Sequence, residues 1–307
     1  MKPQEIATPL TGAAIFLVVT VPADHTNAIR SLLGEVDSLT KAVGFRYPEA
    51  RLSCVVGIGS LLWDQLSPSE RPAHLHPFTP LHGVVRDAPS TPGDLFFHLR
   101  SQELGLCFEL ARLLKDRLPT GSVIVDEVQG FKYLDQRDLL GFVDGTENPD
   151  QSEAAQVAII GEAEPAFVGG SYVIVQKYLH DLSAWEALTT EDQERAVGRR
   201  KLENVELDDA TKPINSHVAL NNIRDANDAE LAIYRLNMPF GSLHDHHYGT
   251  YFIGYASDVR ITERMLTNMF LGDPPGNYDR LLDFSTAITG TLFFCPSLEL
   301  LEQLADP

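Results

Sequence analysis

The sequence contains few cysteines. The three that occur among 307 residues, Cys54, Cys107 and Cys295, are far apart, and each lies among apolar neighbours. No CxxC pair occurs, so a zinc ribbon is not indicated. Isolated thiols in apolar surroundings are typical of buried cysteines in a reducing compartment, and we therefore expect a cytoplasmic protein.

Long apolar runs and an excess of basic charge are also lacking. No apolar run reaches the ~20 residues that a membrane-spanning helix needs. Residues 13–21 have the length of a signal-peptide core, but Glu5 rather than a basic cluster precedes them, which favours a buried strand. The 43 acidic side chains outnumber the 24 basic ones, and the formal net charge of -19 disfavours nucleic acid and anionic membranes as partners.

Apolar periodicity predicts a similar order of elements in both halves of the chain. In the first half, strands near residues 13–21, 52–59, 94–99 and 122–128 alternate with two amphipathic helices. A mostly irregular loop fills residues 64–92. In the second half, strands near residues 171–179, 230–236, 250–255 and 291–295 accompany a helix around Met265. The order β-α-β-β-α-β is the ferredoxin-like arrangement.

The length of 307 residues allows one large domain or two ordinary ones. We predict an α+β protein made of two ferredoxin-like halves, residues 1–150 and 151–307, whose antiparallel sheets pack together over a shared core. Exposed sheet edges in such a fold favour a homo-oligomer, a dimer or higher.

Near the midpoint of the chain, residues 141–150 read GFVDGTENPD, in which Gly141 and Gly145 bracket Asp144. Glycine permits positive φ in a tight turn and lets the main chain approach a flat, bulky ligand closely. The simpler interpretation of this run alone is a surface turn, because Asp followed by Gly is a common turn pair.

The GFVDGTENP run resembles the GxxDG signature of the dye-decolorizing peroxidases, which are haem enzymes. Two further segments match the same family in the same order: residues 215–218 (NSHV) and 235–241 (RLNMPFG). The resemblance covers nearly the whole chain, from the first apolar strand to Pro296. It implies a fold of the dimeric α+β barrel type, with most of the haem pocket in the second half.

The resemblance implies a role for each motif. His217 would be the axial ligand of the haem iron through Nε2, and Asp283 would accept a hydrogen bond from its Nδ1. On the opposite face Asp144 would carry the peroxide proton, Arg235 would stabilise negative charge on the departing oxygen, and Asn237 would hydrogen-bond peroxide. A strand-end or cap role for Asp283, and a surface position for Arg235, remain the alternatives.

Further residues are expected against the cofactor. Arg199 belongs to an Arg-Arg-Lys run that is similar to the family's Gly-Arg-Thr-Lys segment, but Arg200 replaces Thr, so which of the two arginines faces inward stays open. The other candidates are Gly145, Thr146, Gln176, His180, Leu220 and Phe252. For all of these, ordinary core or surface positions are the alternative. His244 to His247 are better interpreted as a solvated loop than as a metal site, and Trp63 and Trp185 as core residues.

The function implied is a haem b peroxidase that reduces hydrogen peroxide and oxidises small organic reductants such as dyes and phenols through a ferryl porphyrin radical. One haem per chain would be held non-covalently, because no CxxCH occurs. A haem carrier or haem-processing protein on the same fold is the first alternative, and a dimeric ferredoxin-like binding module without a cofactor is the second. Some family members carry a C-terminal tail for nanocompartments, and we expect none after Leu304.

Overall fold

The computed structural model describes residues 1–67, 69–150 and 152–306. Gln151, at which the second half is predicted to begin, and Pro307 lie outside the described residues. The strands are β1 Ala13–Thr20, β2 Ser53–Gly59, β3 Leu81–His82, β4 Asp87–Ala88, β5 Leu95–Ser101, β6 Val123–Phe131, β7 Ser171–His180, β8 Ile223–Arg224, β9 Glu230–Leu231, β10 Tyr234–Arg235, β11 Met238–Ser242, β12 His247–Ala256, β13 Ser285–Ala287 and β14 Thr291–Cys295.

The α-helices are α1 Thr26–Gly44, α2 Ser60–Leu66, α3 Leu104–Arg117, α4 Ala154–Ala158, α5 Leu182–Glu186, α6 Thr190–Val197, α7 His217–Asn221, α8 Val259–Leu271 and α9 Leu298–Ala305. Short 3-10 helices span Pro48–Ala50, Pro165–Phe167 and Arg280–Asp283. None of the helices in the described residues is long and apolar enough to cross a membrane.

Most strands form a single antiparallel sheet in the order β10-β12-β7-β14-β2-β5-β1-β6, to which β11 and β13 add at β12 and β7. The two halves are therefore joined edge to edge by β14 and β2, where Phe293 pairs with Gly59 and Phe294 with Ile58. This corrects the expectation of two separate sheets packed together. Glycine makes the junction possible, because a Cβ at Gly57 would lie 2.9 Å from Cβ of Phe293.

The sheet curls around an apolar interior to which both halves contribute. Gly130 of β6 and Met238 of β11 come from opposite ends of the strand order, yet a Cβ at Gly130 would lie 2.7 Å from Cβ of Met238. Inside the curl, the rings of Phe16 and Tyr251 stack with centroids 4.2 Å apart. The predicted shared core is thus present, and it joins β1 of the first half to β12 of the second.

The outer side of the sheet is covered by helices. The buried side chains of α1 are Ile29, Leu32, Leu33 and Val36, as its amphipathic pattern predicts. The predicted loop over residues 64–92 contains the end of α2 and the hairpin of β3 and β4. The predicted strand over residues 230–236 is divided between β9, which pairs with β8, and β10, which pairs with β12. Trp63 and Trp185 are both buried in the core, as interpreted.

Candidate active site

The GxxDG run closes a small hairpin that follows β6. Arg137 bridges Val143, and the N–H of Asp144 donates to the carbonyl of Gln136 at 2.8 Å. The turn needs glycine at both ends, because φ is 91° at Gly141 and 77° at Gly145. Residue 144 is thereby held at the wall of a cavity rather than on an outward-facing turn.

The cavity lies between this hairpin, the outer face of β7 and β12, and helices α7 and α8. It encloses about 1130 Å³ including its open mouth. Most of the residues predicted for the site line it. They are Asp144, Gly145, Thr146, His180, Arg199, His217, Arg235, Asn237 and Phe252.

His217 is the first residue of α7, and the side chain of Ser216 caps that helix. Its Nδ1 lies 2.6 Å from Oδ2 of Asp279, a carboxylate with no exposed surface. Burial lowers the pKa of His217, but the charge and hydrogen bond of Asp279 outweigh it and the net pKa is raised. Among residues 1–67, 69–150 and 152–306, Nε2 has no hydrogen-bond partner, and His217 lines the cavity.

The partner of His217 is therefore Asp279 and not Asp283, which corrects the prediction. Asp279 caps the 3-10 helix Arg280–Asp283, because its Oδ1 accepts from the N–H of Leu281 at 2.9 Å while Oδ2 faces His217. Asp283, at the other end of that helix, accepts instead from the hydroxyl of Tyr278 at 3.1 Å.

Asp144, Asn237 and Arg235 form a second polar group on the cavity wall. Nδ2 of Asn237 donates to Oδ1 of Asp144 at 3.2 Å, and Oδ1 of Asn237 accepts from the N–H of Ile253 at 3.0 Å, so the amide orientation is set. Burial lowers the pKa of the Arg235 guanidinium, and the charge of Asp144 opposes that effect. The surface position considered for Arg235 is not observed.

Asn148, also in the GxxDG run, fastens the hairpin to β10. Its Nδ2 donates to the carbonyl of Arg235 at 2.6 Å, and its Oδ1 accepts from the N–H of the same residue at 2.9 Å. These two hydrogen bonds satisfy the backbone N–H and carbonyl of Arg235 on an edge strand of the sheet. The hairpin carrying Asp144 and the strand carrying Arg235 are therefore held in a fixed relation.

Arg199 rather than Arg200 faces inward. Arg199 is 8% exposed, lines the cavity, forms an ion pair with Glu147, and donates from Nη1 to the carbonyl of Asn204 at 2.7 Å. Arg200 is exposed and pairs with Glu194 at 2.7 Å. The alternative that the sequence left open is thus resolved.

His180 lies at the cavity wall between two hydroxyls. Its Nδ1 is 2.7 Å from Oγ of Ser285, and its Nε2 is 3.0 Å from Oγ1 of Thr250. Burial lowers the pKa of His180 to about 4, so the ring is neutral at neutral pH. Both ring nitrogens are occupied, which leaves neither free to bind iron.

Two of the predicted pocket residues do not line the cavity. Gln176 is fully buried, and its Oε1 accepts from the hydroxyl of Tyr178, which lies on the same face of β7 and covers it. Leu220 points away from the cavity, whereas Val218 on α7 lines it. Gln176 lies on a strand that was predicted correctly, but the strand pattern does not determine which neighbour shields it. The helix α7 that carries Leu220 was not predicted.

A second carboxylate, Asp138, lines the same cavity and was not predicted. Its Oδ1 accepts from the N–H of Phe142 at 3.0 Å. Burial, followed by the charge of Asp144, raises the pKa of Asp138 to about 7. An aspartate ahead of a turn is common, so the sequence alone offered no reason to select it.

An imidazole with a buried carboxylate behind it, and a carboxylate, amide and guanidinium on the wall of the same cavity, are the groups that a haem peroxidase requires. Comparison with known families agrees with this class. The family model described as Dyp-type peroxidase, N-terminal, matches residues 3–132, and the model described as Dyp-type peroxidase, C-terminal, matches residues 135–300. The chain belongs to the Dyp-type peroxidase family, as the three motifs predicted.

Individual relatives extend over the full chain. A dye-decolorizing peroxidase of Mycolicibacterium paratuberculosis is 54% identical over 303 residues, which cover 99% of this chain and 86% of the relative. A variant of DypB from Rhodococcus jostii RHA1, solved in complex with heme, is 57% identical with a TM-score of 0.97 and coverage of 99% of both chains. The encapsulated DyP-type peroxidase of Mycobacterium smegmatis is 52% identical with a TM-score of 0.96, covering 100% of this chain and 98% of that one.

Proposed function

We propose that the cavity holds one haem b non-covalently and that His217 binds its iron through Nε2. The observation that carries the assignment is the 2.6 Å contact between His217 and Asp279, because it directs Nδ1 toward the carboxylate and leaves Nε2 for a metal. Both nitrogens of His180, the other imidazole of the cavity, are already engaged.

The remaining lining fits a porphyrin. Phe252, Val218, Leu266 and Met269 offer apolar surface to the macrocycle, and Gly145 allows its backbone to approach closely. Arg199 lines the cavity and would bind a propionate through its guanidinium, and Thr146 and His180 would add polar contacts. These are the residues we assign to cofactor binding.

Haem, when bound, would supply the two electrons that reduce hydrogen peroxide, one from the iron and one from the porphyrin. The residues of the chain handle the proton and the charge. Asp144 accepts a proton from one peroxide oxygen and returns it to the other, which leaves as water. Arg235 stabilises the negative charge that develops on the departing oxygen, and Asn237 hydrogen-bonds peroxide while it orients Asp144. We assign catalysis to this group without ranking Asp144 against Arg235.

The reducing substrates that we propose are small organic molecules such as dyes and phenols, in keeping with the family. A haem carrier on the same fold has no need for a carboxylate, an amide and a guanidinium at one wall, so the peroxidase is the better explanation of that wall. The cytoplasm is the proposed compartment, consistent with three free cysteines.

We further propose that residues 1–150 and 151–307 are two ferredoxin-like halves and that the protein is a homo-oligomer. The order β2-β5-β1-β6, and its counterpart β10-β12-β7-β14, are those of a β-α-β-β-α-β unit, which supports the first proposal. Val123, Val125 and Phe131 are 53%, 44% and 39% exposed on edge strand β6, which supports the second. Light scattering coupled to gel filtration tests it, and a monomer at all concentrations contradicts it.

The deciding experiment is an absorption spectrum of the haem-reconstituted protein before and after one equivalent of hydrogen peroxide. We expect a Soret band that changes rapidly on mixing, loss of the band in His217→Ala, and its retention in His180→Ala, the matched imidazole of the same cavity. An unchanged Soret band in His217→Ala contradicts the ligand assignment. A carrier is favoured if the wild-type protein responds slowly to peroxide and if the double variant Asp144→Ala with Arg235→Leu responds at the same rate.

A further inference from the structure

Arg137 lies on the first arm of the hairpin that carries Asp144, and its side chain is 15% exposed. Its guanidinium divides its donors between two groups of acceptors. Nε and Nη2 donate to the exposed carboxylate of Asp135 at 2.9 and 3.2 Å. Nη1 donates instead to two partly buried main-chain carbonyls, that of Gly141 at 2.9 Å and that of Lys201 at 2.6 Å.

The carbonyl of Gly141 belongs to one wall of the cavity, residues 137–148, which we call the hairpin wall. Asp144 follows Gly141 by three residues. The bond from Arg137 crosses the hairpin beside the backbone bridge between Arg137 and Val143. Because φ at Gly141 is 91°, the main chain turns there in a direction that other residues rarely adopt. Arg137 therefore fixes the turn that leads to Asp144.

The carbonyl of Lys201 belongs to a different wall, residues 198–206, which we call the arginine wall. Arg199, the proposed partner of a propionate, lies two residues before Lys201 and lines the cavity. The two walls are in close contact here, because a Cβ at Gly141 would lie 2.6 Å from Cε of Lys201. One nitrogen of Arg137 therefore holds the main chain of both walls where they meet.

Two further contacts join the walls at the other end of the hairpin. Thr146 and Asn204 exchange hydrogen bonds at 2.9 and 3.2 Å, and Glu147 forms an ion pair with Arg199. Thr146 and Glu147 are exposed, whereas the bonds from Arg137 to the two carbonyls are partly buried. Since water competes less for a buried charge-assisted bond, we expect Arg137 to contribute most to the connection.

We infer that Arg137 is a positioning residue that sets the hairpin wall and the arginine wall relative to each other. Its consequence rests on the proposed function, in which Asp144 carries the peroxide proton and Arg199 holds a propionate. Arg137 acts through these two residues and not on peroxide itself. By fixing both walls, it sets where the cofactor lies relative to the carboxylate of Asp144, and a displacement of that carboxylate slows proton transfer.

The connection between the walls is tested by hydrogen exchange of the haem-free, full-length chain. One hydrogen-bonded amide reports on each wall: that of Asp144, which donates to Gln136, and that of Arg200, which donates to Val205. Arg137→Met keeps an apolar stem but no donor. Both amides should then exchange about tenfold faster or more, because two charge-assisted hydrogen bonds are lost.

Two control variants separate the carbonyl bonds from the ion pair. Asp135→Asn removes the exposed carboxylate and leaves Nη1 of Arg137 in place. Arg112→Met removes another arginine that bonds a carboxylate through two nitrogens, that of Glu109 on the outer helix α3. Neither should change exchange in either wall by more than about twofold. Faster exchange in the hairpin wall alone, or equal acceleration in Asp135→Asn, overturns the inference.

Arg137→Lys carries the test should Arg137→Met not fold. Lysine keeps a charge on the stem but lacks the planar fork that serves Asp135 and both carbonyls together. The amides of Asp144 and Arg200 should again exchange faster than in wild type, by a smaller factor. Wild-type exchange of the Arg200 amide in a folded Arg137→Lys variant likewise overturns the inference.

Steady-state kinetics of the haem-loaded protein distinguish positioning from a general loss of stability. In Arg137→Met, kcat/KM for hydrogen peroxide should fall about 10–100-fold, because Asp144 is no longer held in place. The value of kcat/KM for phenol should stay unchanged, since Asp144 acts on peroxide alone. Equal losses in both constants overturn the positioning role. A wild-type protein without peroxidase activity would contradict the proposed function and leave the hydrogen-exchange result standing, so the two failures are distinguishable.

Discussion

His217 Nδ1 and Asp279 Oδ2 lie 2.6 Å apart, and the carboxylate is completely buried. A buried anion needs a partner, and the imidazole N–H supplies it. Asp279 also caps a 3-10 helix, so its position is determined by the fold as well as by His217. The contact links the proposed axial ligand to the segment between α8 and β13.

The first prediction concerns this contact. Asp279→Asn keeps the shape but removes the charge that makes the imidazole basic, and we expect haem affinity or the rate of reaction with peroxide to fall about 10–100-fold. The matched control is Asp283→Asn, four residues on, which should change neither by more than about twofold, because Asp283 bonds Tyr278 instead. Haem titration and stopped-flow absorption measure the two effects. Equal losses in both variants would contradict the assignment of Asp279.

The second prediction concerns the clamp between Asn148 and Arg235. Asn148→Ala removes two hydrogen bonds to the backbone of Arg235, and the free energy of unfolding should fall by about 1–3 kcal/mol. The peroxide reaction should also slow, because the hairpin of Asp144 is no longer held against β10. Denaturant unfolding and stopped-flow mixing measure these changes. Asn204→Gly is the control: it removes a hydrogen bond to the exposed Thr146, and glycine tolerates the φ of 54° at this position. A similar loss there would show that the clamp has no special role.

Part of the candidate haem site could be predicted from the sequence, because several of the residues that form it lie in short contiguous motifs. Asp144 is bracketed by two glycines, and His217 lies within the NSHV run, so both positions could be selected through the resemblance of these runs to the family. The long strands β1, β2, β5, β6, β7, β12 and β14 and the helices α1, α3 and α8 follow from apolar periodicity, since each buries one or both faces. The short elements, such as β11, β13 and α7, were not predicted. The predicted parts of the site depend on short stretches of chain.

The remaining parts depend on contacts between distant segments. Asp279 and Asp283 belong to one helical turn, and the sequence does not tell which of them meets α7, which lies more than 50 residues earlier. Gln176 and Tyr178 share one face of β7, and only packing decides that the phenol covers the amide. The pairing of β14 with β2 likewise depends on two edges that are far apart in the chain.

The third prediction distinguishes Arg199 from Arg200. A guanidinium that reaches a propionate makes a charge-assisted hydrogen bond of about 1.5–3 kcal/mol, so Arg199→Ala should weaken haem affinity about tenfold or more. Arg200→Ala should leave affinity unchanged, because Arg200 is exposed and bonds Glu194. Spectrophotometric titration of the haem-free chain measures both. If Arg200→Ala loses haem affinity and Arg199→Ala does not, the assignment of Arg199 to the propionate is wrong.

The fourth prediction concerns pH and His180. Burial lowers the pKa of this imidazole from 6.5 to about 4, so the unfolded chain binds a proton between these values that the folded chain does not. Stability is therefore complete above pH 6.5 and is lost as pH falls toward 4. His180→Gln keeps one donor and one acceptor for Ser285 and Thr250 but does not titrate, so its Tm relative to wild type should rise on acidification.

The measurement is differential scanning calorimetry of the haem-free chain at several pH values, with His244→Gln in the exposed hairpin between β11 and β12 as the control for loss of an imidazole. Asp138→Asn should show the opposite direction: because the pKa of Asp138 is raised, the Tm of this variant relative to wild type should increase as pH rises. The two variants together separate a buried base from a buried acid in the same cavity. A Tm difference for His180→Gln that stays flat between pH 6.5 and 4 would mean that the ring protonates as freely in the folded chain as in the unfolded one.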